Sequence, residues 1–329
     1  MPLYIMATST LESLKNNIFY KNILRTILFI VGAVFFVTLI IRSWNEIQTI
    51  LQTLNWSLFI LSIFVAMLDM ILFSFLFQQL LKKYDFDIDY PRIGQMFFYG
   101  QIAKYIPGRL WSVFYHATFL KRPGATKAML FANLDLTAVG MLRSLVIAVT
   151  LILYQRNILI ALIIAILGII IFWLLTRSCW IARIFKNFFR RNQTNKTVPC
   201  QSKIDDPVVH LIGILNWVTF LIANFLVMQS AFGFSVTEST PYIAYFGIAW
   251  VVGVLSFIVP AGIGIREITF IFLAQVFNQN QIVTLELLTA IAIVYRFWQI
   301  FIEFGSIGIG FILSKFHHNR ISTIGDLQA

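Results

Sequence analysis

Five basic residues lie within or beside long apolar stretches of the chain, where a charged side chain is costly and marks a functional site by default. They are Lys104, Arg109, Arg143, Arg266 and Arg296. Two flank a Pro-Gly pair in the segment KYIPGRLW at 104–111, and a third follows two glycines in VPAGIGIRE at 259–267. Glycine permits close approach of the backbone to a ligand, and a cation beside such backbone can bind a phosphate. The two segments therefore predict an anion site.

Each segment supplies several candidate ligands for a phosphate-bearing headgroup. Those of the first are Lys104, Tyr105, Pro107, Gly108, Arg109 and Trp111. The alternative for this segment is that its two cations only reach the membrane surface. Those of the second are Pro260, Gly262, Gly264, Arg266 and Glu267. Here a new helix is predicted to begin near the arginine, and its backbone N–H groups would favour an anion. The alternative is an ion pair that holds the turn closed.

Four polar residues recur at steps of three, four and three in the last apolar stretch. They are Arg296, Gln299, Glu303 and Ser306. This spacing places them on one helical face, which should point into a helical bundle. The face could form a polar groove for a headgroup or an Arg–Glu network that fixes packing. Three further deep charges are candidate counter-ions for the cations above, or else structural ion pairs: Asp69, Asp135 and Arg143.

The composition identifies the kind of protein that must position these residues. Of 329 residues, 59% are hydrophobic and only 12% are charged, against about 25% charged residues in a soluble domain. The mean hydropathy of +0.83 agrees. A soluble core of this size could not bury the 33 Phe and 8 Trp side chains. The composition excludes a soluble globular protein, a disordered chain and a disulfide scaffold, and it predicts an all-α polytopic integral membrane protein.

The apolar stretches predict six full membrane spans and two interrupted ones. A spanning helix needs about 20 apolar residues, and the full spans are predicted at 24–41, 57–81, 129–154, 158–176, 208–232 and 284–314. The stretches 93–120 and 241–277 contain the two Pro-Gly segments, which a helix cannot cross without losing backbone hydrogen bonds. In a membrane such backbone must be buried in protein or line a wet cavity. Two re-entrant helical hairpins are therefore predicted.

Basic residues predict the orientation of the spans. Seven of them lie in 177–207, which is predicted to be a basic cytoplasmic loop, as are the N- and C-termini. The hairpins then open to opposite sides, so that the halves 1–155 and 156–329 form an inverted-topology repeat within a single transmembrane domain, 1–329. The alternative is an ordinary layout of eight spans.

The same orientation accounts for the net charge of +11. Eighteen of the 25 basic residues fall in segments assigned to the cytoplasm, so no nucleic-acid partner is predicted. Cys179 and Cys200 lie in the basic loop and are expected to stay reduced there. The four His residues lack metal-ligand spacing, and no nucleotide-binding or hydrolase motif occurs. We therefore expect no metal, no cofactor and no catalytic residues, and hence no enzyme.

The two interrupted motifs, GQIAKYIPGRLW at 100–111 and VPAGIGIRE at 259–267, resemble the paired signatures of the lysylphosphatidylglycerol synthase transmembrane-region family, which consists of flippase-like membrane proteins. The resemblance covers essentially the whole chain. Two departures affect the finer geometry: the family's first motif has a Gly nearer the lysine, and Ala261 replaces a second Gly. The aminoacylating members carry a soluble aminoacyl-transfer domain after the membrane region, and this chain is expected to lack it.

The resemblance implies a lipid flippase-like transporter in the bacterial cytoplasmic (inner) membrane. It would move a polar or anionic phospholipid, glycophospholipid or polyprenyl-linked lipid between leaflets. Membrane lipids would then be its partners, together with a lipid-modifying enzyme or a glycosyltransferase. Two alternatives from other classes stay open at this point: an integral-membrane lipid-modifying transferase, with Asp135 or Glu267 near the phosphate, and a non-catalytic accessory subunit of a lipid-modifying enzyme.

Overall fold

The computed structural model describes residues 37–38, 41, 44–103, 125–189, 200, 207–256, 262–277 and 284–326. Within these ranges the chain is all-helical, with ten helices and no strand. They are α1 (Trp44–Thr53), α2 (Trp56–Lys82), α3 (Tyr90–Ala103), α4 (Ala125–Tyr154), α5 (Ile158–Arg177), α6 (Trp180–Phe189), α7 (Pro207–Phe232), α8 (Val236–Leu255), α9 (Ile265–Phe277) and α10 (Leu285–Asp326).

Five of these helices are long and apolar enough to cross a membrane: α2, α4, α5, α7 and the part of α10 over Leu285–Lys315. They confirm long apolar helices at five of the six full spans predicted from the sequence. The sixth, 24–41, lies almost wholly outside the described residues. Asn side chains cap α2 and α5: Asn55 Oδ1 accepts the N–H of Leu58, and Asn157 Oδ1 accepts those of Leu159 and Ile160.

The second interrupted stretch forms two separate helices, as the Pro-Gly segment predicts. α8 ends at Leu255, α9 begins at Ile265, and the two pack against each other. The helix α8 begins at Val236, five residues before the apolar stretch 241–277, because a capping box between Ser235 and Glu238 starts it there. Pro241 lies inside the helix and donates no N–H to the carbonyl of Thr237, which accepts instead from the side chain of Gln155 at 3.2 Å.

The first interrupted stretch is described only in part. α3 ends at Ala103, directly before the Pro-Gly segment, and residues 104–124 lie outside the described residues. The crossing count and the re-entrant geometry of both stretches stay predictions.

The segment at 177–207, predicted as a loop, contains the short helix α6 at its start. Cys179, just before α6, forms a disulfide with Cys200, and their Cα atoms are 6.3 Å apart, within the range that a disulfide spans. The expectation that both cysteines stay reduced is therefore wrong in this structure.

Helix packing joins the two halves of the chain. α2 packs along α7, α4 packs against α8, and α3 packs against α10. Two hydrophobic clusters result. One contains side chains of α2, α3 and α4, and the other contains side chains of α7, α8, α9 and α10. α5 packs mainly on α4 and exposes aliphatic side chains along its length, such as Leu159, Ile163 and Ile166.

Candidate functional site

A cavity of about 60 Å³ lies between α7, α8, α9 and α10. It can hold a few water molecules, since one needs about 10–15 Å³. Its walls combine aromatic rings with a few polar side chains, as is typical of ligand sites. The lining residues are Phe220, Asn224, Phe246, Gly247, Trp250, Arg266, Glu267, Ala292, Tyr295, Arg296, Trp298 and Gln299. Four residues predicted from the sequence thus meet here: Arg266, Glu267, Arg296 and Gln299.

Arg266 reaches this cavity past two glycines. A Cβ atom added to Gly253 of α8 would lie 2.5 Å from Cγ and 2.8 Å from Nε of Arg266. Gly262, in the turn before α9, has a φ of +67°, which L-residues rarely adopt, and its added Cβ would meet the same Nε at 3.0 Å. The guanidinium carbon of Arg266 lies 6.0 Å from the ring centre of Trp250. The predicted glycine motif therefore makes room for the arginine stem.

Glu267 connects the start of α9 to α10. Its Oε2 accepts the backbone N–H of Gly264 at 2.7 Å, which satisfies one of the free donors at the helix N-terminus. Its Oε1 lies 3.9 Å from Nε of Arg296, and both side chains are almost fully buried. An ion pair at this distance is loose, because a charge-assisted hydrogen bond is about 2.7–2.9 Å long.

The charged residues of the cavity wall are two arginines and one carboxylate, Arg266, Arg296 and Glu267. Their formal sum is one positive charge. A wall with this excess of positive charge is complementary to an anion rather than to a cation. The residues that bring this charge together come from α9 and α10, which pack against each other.

The polar face of α10 divides between the cavity and helix packing. The prediction that it points inward is confirmed, since Arg296 and Ser306 are buried and Gln299 and Glu303 are partly buried. The opposite face, with Phe297, Phe301 and Phe304, is exposed. Only Arg296 and Gln299 line the cavity; Ser306 donates to the backbone oxygen of Ile302 at 2.7 Å.

Eight of the twelve cavity residues were not predicted from the sequence, and two of these eight, Asn224 and Tyr295, form a polar pair. Tyr295 donates its hydroxyl to Oδ1 of Asn224 at 3.0 Å, and both are buried. This bond joins α7 to α10 across the cavity wall. An amide in the middle of an apolar span is a recognisable signal, because a polar group at that depth needs a partner. Tyr295 gives no such signal, because aromatic residues are common throughout the chain and a single tyrosine does not stand out.

The predicted counter-ions Asp69 and Arg143 pair with each other. Oδ1 of Asp69 accepts from Nη1 of Arg143 at 2.9 Å and from Nδ2 of Asn216 at 2.6 Å. The Arg143 guanidinium also lies over the rings of Phe73 and Phe220. These contacts favour the structural alternative for both charges, as a junction of α2, α4 and α7.

Asp135 pairs with two residues that directly follow α2. Its Oδ2 accepts from Nζ of Lys83 at 2.9 Å and from the hydroxyl of Tyr84 at 2.6 Å. Lys83 is 1% exposed, so this lysine at the end of α2 is held inside the protein by the Asp135 carboxylate rather than in water. Burial lowers the pKa of the Lys83 ammonium, and the Asp135 carboxylate opposes this shift. Neither Lys83 nor Asp135 lines the cavity.

The remaining predicted ligands lie outside the described residues. They are Lys104, Tyr105, Pro107, Gly108, Arg109, Trp111 and Pro260. Within the described part of the chain, no three His, Cys, Asp or Glu side chains are grouped so that they could hold a metal ion.

Comparison with known proteins identifies the family of the chain. The family model described as the lysylphosphatidylglycerol synthase transmembrane region matches residues 23–304, which include both Pro-Gly segments and the whole cavity wall. A comparison with curated proteins gave no match. The match and the five apolar helices make this a multi-pass membrane protein. The chain belongs to the lysylphosphatidylglycerol synthase transmembrane-region family.

Proposed function

We propose that this protein is a lipid flippase-like transporter, which moves a polar or anionic phospholipid, glycophospholipid or polyprenyl-linked lipid between leaflets. The proposal depends on one observation above all: Arg266 and Arg296 line one buried cavity with a single carboxylate, Glu267. Membership of a lipid-related membrane family supports it.

The physical task is to carry a charged headgroup through hydrocarbon. A charge at the bilayer centre is costly unless it is paired. In the proposed mechanism the two arginines bind the lipid phosphate while the acyl chains stay in the bilayer. The loose Glu267–Arg296 pair, at 3.9 Å, would separate when the phosphate binds and re-form when it leaves. Arg296 would then exchange one anionic partner for another, while the Gly264 N–H continues to stabilise the Glu267 carboxylate.

The helix packing supports an inverted-repeat architecture for this transport. α2 and α7 occupy the same place in each proposed half, and they pack together. α3 packs on the last span of the other half, α10, as α8 packs on α4. α9 rises only about 20 Å, less than the roughly 30 Å hydrocarbon core. A pair of opposed hairpins around a central site would allow alternating access.

We further propose the bacterial cytoplasmic membrane as the location, with both termini and the loop 177–207 on the cytoplasmic side, as the basic residues indicate. Transport is preferred to a transferase activity because Asp135 is held by Lys83 and Tyr84 away from the cavity. Glu267 does line the cavity, but its Oε2 is occupied by the backbone N–H of Gly264. Partner enzymes would then supply or consume the transported lipid.

Proteoliposomes test the proposal. Purified protein is reconstituted with a fluorescent anionic phospholipid in both leaflets, and an impermeant quencher is added outside. We expect the protein to move the fluorescent lipid of the inner leaflet to the outer leaflet, where the quencher reaches it. The variants Arg296→Gln and Arg266→Gln should slow this step about tenfold or more, because each loses a charge-assisted bond to the phosphate.

Lys315→Gln is the matched control, since it removes an exposed cation from the end of the same helix as Arg296. It should transport at the unmodified rate. If the folded, unmodified protein never exposes the inner-leaflet lipid, the flippase proposal is wrong, and stable co-purification with a lipid-modifying enzyme would then favour the accessory role.

A further inference from the structure

A second cavity lies between α5 and α7 and shares no lining residue with the first. Its volume is about 200 Å³, and its walls are almost wholly apolar. Phe172 of α5 forms its floor by packing against Gly213 and Trp217 of α7. The lining residues are Ile169, Ile170, Phe172, Trp173, His210 and Ile214. We call this cavity the α5–α7 groove.

The α5–α7 groove has one polar end and one apolar end. α5 ends at Arg177 and α7 begins at Pro207, so these ends lie at the same face of the membrane. Trp173 and His210 lie nearest that face, with ring centres 6.2 Å apart, and the Arg177 guanidinium lies 5.1 Å above the Trp173 ring. Ile169 and Ile214 lie one turn deeper along their helices.

The flanks of the groove belong to the lipid-facing surface. Ile170 is 46% exposed and Ile214 is 43% exposed, and Ile166 on the adjoining turn of α5 is 57% exposed. A groove that opens between such side chains meets acyl chains rather than water. An occupant with an apolar chain and a negative group at the membrane face is complementary to both ends, because the Arg177 guanidinium is a cation at that face.

We propose that the α5–α7 groove is a binding site for one anionic phospholipid. One acyl chain lies along Ile169, Ile170 and Ile214, and the phosphate lies beside Arg177, where a guanidinium provides planar donors for phosphate oxygens. Trp173 occupies the headgroup level, as amphipathic rings do at membrane interfaces. This lipid is a resident of the protein surface and is distinct from the lipid proposed to cross through the first cavity.

Quenching of Trp173 fluorescence tests this site on the full-length protein. The protein is reconstituted in phosphatidylcholine vesicles that contain a fixed fraction of chain-brominated lipid, either phosphatidylglycerol or phosphatidylcholine. The contribution of Trp173 is the difference from the variant Trp173→Phe. We expect the Trp173 quenching to show that phosphatidylglycerol binds at the site about fivefold more tightly than phosphatidylcholine does. This is the preference for an anionic lipid that one basic residue gives near a membrane surface.

Two variants distinguish a built site from ordinary bilayer contact. Arg177→Gln should reduce the preference for phosphatidylglycerol to its mole fraction. Ile170→Phe should narrow the groove and lower the number of anionic lipids that native mass spectrometry finds on the purified protein. Ile163→Phe is the control, because Ile163 is also an exposed side chain of the same helix, at 55% against 46% for Ile170, and does not line the α5–α7 groove.

Equal quenching by the two brominated lipids in the unmodified protein would overturn the proposal. The proposal would also be overturned by two results together: the preference for phosphatidylglycerol is the same in Arg177→Gln as in the unmodified protein, and Ile170→Phe retains as many anionic lipids as Ile163→Phe. Both readouts are independent of transport, so the site can fail while the flippase proposal stands, or stand while it fails.

Discussion

At the scale of single residues, the cavity depends on how two glycines admit Arg266. The stem of this arginine passes Gly253 and Gly262, and any side chain at either position would occupy the volume of its Cγ or Nε atoms. The sequence predicted the importance of Gly262 from the Pro-Gly pattern. Gly253 could not be predicted, because a single glycine in an apolar helix is usually a packing residue, and the partner that it faces is 13 positions away along the chain.

The variant Gly253→Ala should therefore be destabilised. Its new methyl group would meet Cγ of Arg266 at 2.5 Å, and such overpacking costs about 1–3 kcal/mol. The matched control is Gly308→Ala, whose methyl group meets nothing within 4 Å and which gains up to about 1 kcal/mol of helix propensity. Thermal unfolding in detergent compares the two, and a midpoint for Gly253→Ala at or above that of Gly308→Ala would contradict this account.

At the scale of helices, ion pairs fix the bundle. Sequence reasoning found Asp69, Asp135 and Arg143, because a charge in an apolar span stands out. It could not identify their partners, which lie 73 or 74 positions away for Arg143. It did not select Lys83 as the buried partner of Asp135, because a lysine at a helix end usually reaches water. Apolar length predicted the five spans well, whereas α1 and α6 were missed because ten-residue amphipathic helices give no span signal.

The junction of α2, α4 and α7 gives a second prediction. Asp69→Ala leaves Arg143 buried without its carboxylate, and loss of one partner of a buried pair costs about 3–5 kcal/mol. The double variant Asp69→Leu, Arg143→Met should recover most of this loss, since no uncompensated charge remains. Unfolding midpoints measure both, with Glu286→Gln as the control for loss of an exposed carboxylate. A double variant as unstable as Asp69→Ala would rule out charge as the cause.

At the scale of the whole molecule, the proposed inverted repeat fixes which chain positions share a membrane side. Thr237, at the start of α8, and Thr284, before α10, lie at the two ends of the second interrupted stretch, and both are exposed. The repeat could be proposed from topology because basic residues orient each span. Residue identity between the halves is too weak to have revealed it.

Single cysteines at Thr237 and Thr284 should react with an impermeant thiol reagent from the same side of the membrane, and a cysteine at Lys315 from the other side. Cys179 and Cys200 are first replaced by Ser so that only the new thiol reacts. Labelling in intact cells and after permeabilisation gives the side of each position. Reaction of positions 237 and 284 from opposite sides would exclude a re-entrant hairpin and favour eight spans.

The bond between Cys179 and Cys200 closes the chain segment between them, which contains α6, into a covalent ring. Most of the basic residues of the basic loop belong to this segment, including Arg183, Lys186 and Lys196. Disulfides persist in oxidising compartments and are reduced by the cytosolic thiol systems. The redox state of this cysteine pair therefore indicates the side of the membrane on which the basic loop lies. In growing cells, free thiols at this pair would place the ring in the cytosol, whereas an intact ring would place it on the opposite face and reverse the orientation of every span.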